Sequence, residues 1–287
     1  MRIELEDILK FFPKRIQDSH KGTYGRILNI AGSKFYSGAA ILSSLSALKV
    51  GAGYVTLACP CDICNNISAY SPDITLLPTK STNGCISNKN IDFLLNKSKE
   101  YDIVSIGSGL SQNTETQKFI IEFLREIKKP CVIDADAINA VSKNRNYQLP
   151  KNSIITPHPK ELSRLINISV EDIQKSREKF AIETANKNEC IVVLKGHKTI
   201  VTDGSKIYEN NSGNSALSKA GSGDVLTGMI TGILAQKNNH QELFESASLG
   251  VYLHGLAGEE GAKEKTEYGL LASELLKYIP KAIKQII

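Results

Sequence analysis

The sequence predicts an α/β protein, a three-layer α/β/α sandwich in which helices cover both faces of a mostly parallel sheet. Short apolar segments alternate with helical segments, as in "RILNIAG" followed by "SGAAILSSLSALKVGAG". Continuous apolar runs are typical of parallel strands buried on both faces. Glycine-rich and polar segments directly follow several of these runs, and ligands of open parallel sheets bind at the carboxyl ends of the strands.

The elements follow in chain order. Strands are predicted in six segments: 26–32, 54–59, 73–78, 102–109, 130–139 and 153–159. Helices are predicted at 37–53 and, with amphipathic spacing, at 115–129. From Cys190 the segments "CIVVLKGHKTIVTDG" and "KIYEN" predict antiparallel strands joined by turns, and the chain from Gly223 onward reads as mostly helical. No linker or repeat interrupts the pattern, so we expect a single domain over 1–287.

Composition narrows the function classes. The formal net charge is +5, but Lys and Arg are dispersed rather than clustered, which argues against a nucleic-acid partner. No apolar run approaches the ~20 residues of a membrane span, and the N-terminus lacks an apolar signal core. Cys59, Cys61 and Cys64 lie close together, but the other cysteines form no second ligand pair for zinc. Free thiols in a reducing compartment are therefore favoured, which predicts a cytoplasmic protein.

The segment "SKAGSGDVLTGMI" carries the main functional signal. Gly221, Ser222 and Gly223 precede an apolar helix, whose first N–H groups and dipole form an anion site. Asp224 follows directly and is placed to take a proton from a hydroxyl next to a bound phosphate. A helix N-terminus is expected to lower the pKa of this carboxyl, which makes it a weaker base. The alternative is structural: a tight turn and a first-turn acidic residue.

Other motifs lie at predicted strand ends. The "LKGHKTIV" loop either binds nucleotide phosphates or is a polar hairpin turn. In "TPHPKE" two prolines fix His158, a site candidate, and Glu161 either faces a metal or complements the helix dipole. "IDADAIN" is expected to place Asp134 and Asp136 at alternate positions of a strand end, where they hold Mg²⁺ or cap loops. His254 is expected to be a core or interface residue. Neither a P-loop nor a G-x-G-x-x-G dinucleotide motif is present.

Taken together, the chain resembles the ADP/ATP-dependent NAD(P)H-hydrate dehydratase family of the ribokinase-like superfamily. The matching segments span nearly the whole chain: "DSHKGTYGRILNIAGSKFYSGAAILSSLSALKVGAGYVTL", "IGSGL", "VIDADAIN", "ITPHPKE", "VVLKGHKTIV" and "NSGNSALSKAGSGDVLTGMITGIL". The G-x-G-D motif alone indicates the superfamily, and the "DSHKG" and "TPHP" elements point to the dehydratase branch. Ser108, Lys160 and Ser222 depart from the residues common in the family.

The resemblance implies a ribokinase-like fold and a repair activity. ADP or ATP would phosphorylate the hydroxyl of the S epimer of hydrated NADH or NADPH (NADHX or NADPHX), and loss of phosphate would restore the reduced cofactor. It implies that Asp224 is the catalytic base and that Mg²⁺ bridges the nucleotide phosphates, with Asp134 and Glu161 as candidate metal ligands. The implied hydrate-binding residues are Ala40, Gly109, His158 and Asp224, and the implied nucleotide-binding residues are Lys195, Gly196, His197, Lys198, Thr199 and Gly223.

The same motifs are compatible with more than one function. A small-alcohol kinase of the same fold, acting on a thiazole or pyrimidine alcohol, would share these motifs but stop after phosphoryl transfer. A nucleotide sensor without turnover is disfavoured, because a pure binder does not need Asp224. The resemblance favours ADP as donor and implies a homotetramer. Many relatives carry a fused epimerase, for which this chain has no room, so a separate epimerase is the expected metabolic partner.

Overall fold

The computed structural model describes residues 1–144, 147–236 and 243–287. The strands of its main sheet are β1 (Arg26–Ile30), β2 (Tyr54–Pro60), β3 (Thr75–Thr79), β6 (Ile103–Ile106), β7 (Cys131–Ile133), β8 (Ser153–Ile155), β9 (Ile191–Leu194), β10 (Ile200–Thr202) and β11 (Ile207–Glu209). A small hairpin, β4 (Ser81–Thr82) and β5 (Cys85–Ile86), stands apart from it.

Within these described residues the main sheet has nine strands in the order β11-β10-β9-β8-β7-β6-β1-β2-β3. Neighbours from β9 to β3 pair in parallel, and β10 is antiparallel to both β9 and β11. The predicted mostly parallel sheet is therefore confirmed, as is the change to antiparallel pairing after Cys190. The strand β9 itself completes the parallel part, because Ile154 and Ile155 of β8 pair with it.

Helices cover both faces of this sheet. They are α1 (Leu5–Leu9), α2 (Ser37–Lys49), α3 (Cys64–Tyr70), α4 (Ile91–Ser98), α5 (Thr114–Glu126), α6 (Ala135–Ser142), α7 (Pro159–Ile166), α8 (Val170–Lys175), α9 (Arg177–Asn188), α10 (Ser222–Ala235), α11 (Leu243–Gly269) and α12 (Ala272–Ile283). Four 3₁₀ helices in the described ranges lie at Lys21–Tyr24, Cys61–Ile63, Asn88–Asn90 and Ser215–Leu217. The helix α11 is kinked at Thr266, where φ is 64°.

Two apolar cores form the interior, one on each face of the sheet. On β7, Val132 packs into the core with α2, α10, α11 and α12, and the next residue, Ile133, packs into the core with α4, α5, α6 and α9. Successive strand residues point to opposite faces, so a strand between two helical layers must be apolar at every position. This requirement explains why the strands read as continuous apolar runs.

The prediction for "IDADAIN" is wrong in one respect. The strand β7 ends at Ile133, Asp134 is the extended residue that precedes α6, and Asp136 lies in the first turn of that helix. The two carboxylates therefore do not occupy alternate strand positions. The change of structure occurs here because residues 135–142 form a helix with an apolar face, and Ala137, Ile138 and Val141 are buried on it.

No helix in the described part of the chain is long and apolar enough to cross a membrane.

Candidate functional site

A cavity of about 710 Å³ lies at the carboxyl ends of β7, β8 and β9. Asp134, His158, Glu161, residues 195–199 and residues 221–224 line it, together with residues of the 210–220 loop and of α11. The structure thus brings together most of the residues that the sequence singled out, as expected for the carboxyl edge of a parallel sheet. A second cavity, of about 850 Å³ and beside Tyr147 and Arg164, is lined by none of them.

The start of α10 has two glycines with different constraints. Gly221 has φ 91°, and a Cβ there would lie 2.7 Å from Leu42 Cδ1, so the fold itself requires glycine. Gly223 is helical, and the nearest atom to a Cβ added at this position would be Lys195 Nζ at 3.5 Å, an ordinary contact. The protein therefore leaves free space above Gly223, which suits a ligand that approaches the backbone closely.

At least one N–H group at the start of α10 already has a hydrogen-bond acceptor within the protein. Ser222 N donates a 3.2 Å hydrogen bond to the carbonyl of Lys219. An anion bound here would either share that donor or rely on its neighbours. The anion hole of Gly221, Ser222 and Gly223 stays a prediction, supported by the position of the helix start in the cavity wall and by the free space above Gly223.

Asp224 is the third residue of α10 and lines the cavity. Burial raises its pKa to about 6, the negative charge of Asp134 adds to this effect, and Ser108 and Lys195 partly offset it. The expectation of a lowered pKa is therefore wrong, because the cost of burying the charge outweighs the helix N-terminus. A carboxylate with this pKa is a stronger base than an ordinary aspartate and is still ionised at neutral pH.

Lys195 is the centre of a buried charge network. Its Nζ lies 2.8 Å from Asp134 Oδ1 and 3.8 Å from Glu161 Oε2. The hydroxyls of Thr156 and Thr227 also donate to Asp134, at 2.7 and 2.8 Å. Burial opposes the ionisation of both Asp134 and Lys195, but their mutual attraction outweighs it, lowering the pKa of Asp134 and raising that of Lys195. Lys195 therefore presents a fixed positive charge beside Gly223.

These carboxylates bear directly on the predicted metal site. Both oxygens of Asp134 accept hydrogen bonds, and Glu161 accepts one from the backbone N–H of His158 at 2.8 Å. No group of three or more metal-ligating side chains occurs among the described residues. Mg²⁺ in nucleotide sites commonly uses one or two carboxylates plus phosphates and water. Asp134 and Glu161, two carboxylates on the wall of one cavity, fit that kind of site, and their role as metal ligands stays a prediction.

The loop at residues 195–199 is a compact turn. Its ends are joined by a hydrogen bond from Thr199 Oγ1 to the carbonyl of Gly196 at 2.9 Å, and Lys195 N donates to the carbonyl of Pro157, also at 2.9 Å. Lys198 has φ 55° and its Nζ lies 3.4 Å from Glu209 Oε1. Exposed positive charge and backbone groups on this turn suit a phosphate-bearing ligand.

His158 precedes α7 and caps it. Its Nδ1 accepts hydrogen bonds from the backbone N–H groups of Lys160 and Glu161 at 3.1 and 3.2 Å. An imidazole whose Nδ1 accepts carries its proton on Nε2, which lies 3.5 Å from Glu161 Oε1. Burial lowers the pKa of His158, so the ring is neutral at pH 7. The capping hydrogen bonds hold the ring of His158 in place, so its fixed position has a structural cause in addition to the role predicted for it in the site.

His254, expected to be a core or interface residue, is buried but also lines the cavity. Its Nε2 lies 3.0 Å from the carbonyl oxygen of Ser222 and 3.2 Å from the Ser222 hydroxyl. Burial lowers its pKa to about 4, so the ring is neutral. A carbonyl oxygen can only accept, so Nε2 carries the proton. It donates to the carbonyl of Ser222, the first residue of α10.

Two predicted hydrate-binding residues lie outside this cavity. Ala40 is fully buried on α2, and Gly109 lies beside Tyr36 and Ala39. Gly109 has φ 66°, and a Cβ there would lie 2.7 Å from Tyr36 Cβ. Ser108, its neighbour, is buried and lowers the pKa of Asp224, but its hydroxyl has no hydrogen-bond partner among the described residues. Hydrate binding by Ala40 and Gly109 therefore stays a prediction, because neither residue lines the cavity that contains Asp224.

Two features at this site were not predicted from the sequence. One is the loop that includes Asn210, Ser212 and Asn214, which forms a wall of the cavity. Its Asn-, Ser- and Gly-rich composition is typical of a loop, and that composition alone does not indicate a wall of the site. The other is Arg177, which contacts the 195–199 turn from outside. No sequence motif connects it to that turn.

With this geometry established, comparisons with known proteins identify the family. The family model described as "NAD(P)H-hydrate dehydratase" matches residues 27–281. The chain belongs to the NAD(P)H-hydrate dehydratase family. A "Bifunctional NAD(P)H-hydrate repair enzyme Nnr" of Thermofilum pendens is 37% identical over 290 residues, covering 100% of this chain and 55% of its own length.

A second relative matches over its full length. The "ADP-dependent (S)-NAD(P)H-hydrate dehydratase" of Bacillus subtilis is 34% identical, with 98% of this chain and 96% of its own covered. A structure of the Bacillus subtilis ADP/ATP-dependent enzyme co-crystallized with ATP/Mg²⁺ superposes with a TM-score of 0.83 at 31% identity, over 98% of this chain and 97% of that one. A hydroxyethylthiazole kinase of Pyrococcus horikoshii, 13% identical with a TM-score of 0.63, shares the fold alone.

These neighbours confirm the ribokinase-like fold of the NAD(P)H-hydrate dehydratase family. The chain spans about half the length of the bifunctional curated relatives that it matches, such as 55% of the Thermofilum pendens protein.

Proposed function

We propose that the protein is a nucleotide-dependent (S)-NAD(P)H-hydrate dehydratase, which converts NADHX and NADPHX back to NADH and NADPH. The observation that carries the proposal is Asp224, a partly buried carboxylate with a pKa of about 6 at the start of α10, beside free space above Gly223. The family match, and the dehydratase activity named for the full-length Bacillus subtilis relative, favour this reaction over simple phosphoryl transfer.

The chemistry follows from this arrangement. Asp224 takes the proton of the substrate hydroxyl as that oxygen attacks the terminal phosphorus of the nucleotide, and the bond to the leaving AMP or ADP breaks. The carbon–oxygen bond then breaks, orthophosphate leaves with the substrate oxygen, and loss of a proton from the neighbouring carbon restores the ring double bond. The Lys195 ammonium and the N–H groups at the start of α10 stabilise the phosphoryl charge.

The residue assignments are part of the proposal. We assign nucleotide binding to Lys195, Gly196, His197, Lys198, Thr199 and Gly223, and hydrate binding to Ala40, Gly109, His158 and Asp224. Glu161 and Asp134 would hold a Mg²⁺ ion, which would neutralise charge on the nucleotide phosphates. Support comes from the shared cavity, which all of these residues line except Ala40 and Gly109.

The wider setting is also proposed. Because bifunctional relatives exist, we propose that a separate NAD(P)HX epimerase supplies the S epimer. We propose a cytoplasmic location, supported by six cysteines that are all unpaired. We also propose that the enzyme is a homotetramer of single-domain chains spanning 1–287, in keeping with its resemblance to the family.

The direct test is an assay with hydrated NADH, Mg²⁺ and either ADP or ATP, which follows the return of reduced-nicotinamide absorbance. We expect recovery that depends on nucleotide, faster with ADP. If neither ADP nor ATP restores the absorbance although the protein binds nucleotide, the result would favour the small-alcohol kinase and overturn the proposal.

Asp224→Asn tests the base in the same assay. The amide cannot accept the hydroxyl proton, so we expect turnover to fall by at least about 10³-fold while nucleotide affinity stays within about twofold. The matched control is Glu115→Gln, which neutralises an acidic residue in the first turn of α5, outside the cavity. Equal activity of Asp224→Asn and the wild type would remove Asp224 from the mechanism.

A further inference from the structure

Arg177 joins the start of α9 to the turn at residues 195–199. Its Nη1 donates to the carbonyl of His197 at 2.6 Å, and its Nη2 donates to the carbonyl of Leu194 at 3.0 Å. One guanidinium thus holds both sides of the turn, and its rigid fork fixes the two carbonyls relative to each other.

The backbone of the turn is built around this side chain. Gly196 has φ 150°, and a Cβ at that position would lie 2.8 Å from Arg177 Nη1 and 2.9 Å from Nη2. A side chain on residue 196 would therefore displace the guanidinium. The glycine of the "LKGHK" segment is needed, in part, because Arg177 occupies the space beside it.

The position of Arg177 is unfavourable for the helix that carries it. It is the first residue of α9, where the helix dipole disfavours a positive charge. Burial of the side chain also lowers its pKa, although the negative charge of Glu209 partly offsets this. A residue that is costly both for its helix and for its own ionisation must be explained by another contact, and the bonds to the turn supply one.

Holding the carbonyls also orients the opposite edge of the turn. The carbonyl and the N–H of a trans peptide point in opposite directions, so fixing the His197 carbonyl on Arg177 directs the Lys198 N–H away from it. Residues 195–199 line the cavity. The bond therefore sets the direction of a backbone donor on the turn that is assigned to the nucleotide.

We propose that Arg177 is a positioning residue for the nucleotide: its guanidinium holds the 195–199 turn in the conformation that binds a purine nucleoside di- or triphosphate. This inference rests on the proposed function, which assigns that turn to the nucleotide. Arg177 acts through the backbone of the turn and has no part in the chemistry at Asp224.

The test compares Arg177→Lys and Arg177→Ala with the wild type, measuring KM for the nucleotide and for the hydrate separately. Lysine keeps a charged donor but lacks the rigid two-nitrogen fork of arginine, and alanine has no donor. We expect the nucleotide KM to rise about tenfold in Arg177→Lys and further in Arg177→Ala, with the hydrate KM within about twofold. The Kd for ADP with Mg²⁺, measured by calorimetry, should rise in the same order.

The control is Glu178→Gln, the next residue of α9, which pairs with Arg2 at 2.9 Å and does not line the cavity. It alters the same helix start without touching the turn, so we expect both KM values to stay unchanged. Equal rises in both KM values, an unchanged nucleotide KM, or loss of the fold by circular dichroism in both Arg177 variants would overturn the proposal. If the wild type shows no nucleotide dependence, the proposed function fails instead.

Discussion

Asp224 shows how a single residue obtains its chemistry from its surroundings. The start of a helix favours the charged carboxylate, but burial in the cavity and the nearby charge of Asp134 raise the pKa to about 6. The carboxyl is therefore ionised at neutral pH yet close enough to its pKa to accept a proton, as the proposed role of base requires. Its strength comes from the packing around α10 rather than from the motif.

This pKa predicts the acid limb of the pH profile. Asp224 must be ionised to act as base, and its pKa is raised, so kcat/KM should fall as pH decreases through about 6, with a slope of about one. An aspartate of ordinary pKa would keep the enzyme active to about pH 4. The nucleotide Kd measured over the same range separates this effect from protonation of the phosphates. A flat rate down to about pH 4.5 would contradict the account.

The two glycines before Asp224 predict opposite outcomes for the same substitution. Gly223→Ala meets only Lys195 Nζ, at 3.5 Å, so the protein should stay at least as stable, because alanine favours a helix. Its methyl group fills the space left for phosphate, so we expect kcat/KM to fall at least about 100-fold.

The contrasting variant is Gly221→Ala. Here φ is 91° and Leu42 Cδ1 lies 2.7 Å from the new Cβ, so we expect a loss of more than about 1 kcal/mol in the free energy of unfolding. Urea unfolding and the hydrate assay measure the two effects. Full activity in Gly223→Ala would show that no ligand approaches that residue.

At the scale of elements, α10 is held by close packing against α2. A Cβ on Gly228 of α10 would lie 2.0 Å from Ser46 Oγ and 2.1 Å from the carbonyl oxygen of Ser43. One turn further, a Cβ on Gly232 would lie 2.5 Å from the Ala47 carbonyl oxygen. These glycines let the two helix backbones approach, which fixes the direction of α10 and so the place of its N-terminus.

This packing predicts that Gly228→Ala is strongly destabilising although alanine favours helices. The methyl group must push α10 away from α2, and overpacking of this kind costs about 1–3 kcal/mol or more. The control is Gly38→Ala in the first turn of α2, where the new Cβ meets nothing within 4 Å. Urea unfolding should separate the two variants by at least about 2 kcal/mol, and equal stability would contradict the close approach.

Some features of the elements could be predicted from the sequence, and others could not. Apolar runs predicted the parallel strands, because burial on both faces leaves a local signal in each strand. The boundary at Ile133 was missed, since Asp134 follows the strand directly and α6 begins at the next residue. The raised pKa of Asp224 and the bonds of Arg177 depend on contacts between segments far apart in the chain, which no local pattern records.

At the scale of the whole molecule, the sheet gathers segments distant in sequence at one edge. Asp134 follows β7, His158 follows β8, Lys195 follows β9, and Asp224 lies in the first turn of α10. Parallel strands align their carboxyl ends, so each strand contributes one polar segment to the same cavity. The charge network of Asp134, Lys195 and Glu161 then links three of these segments at the base of the site.

The central claim is that the substrate hydroxyl is phosphorylated before it leaves. The most direct test uses hydrate prepared in ¹⁸O-water, so that the hydroxyl carries the label, with ADP or ATP as donor. Attack by that oxygen on phosphorus followed by carbon–oxygen cleavage predicts one ¹⁸O in each orthophosphate, formed in equal amount with the reduced nicotinamide. Label released into water, or nucleotide consumed without orthophosphate, would contradict the account.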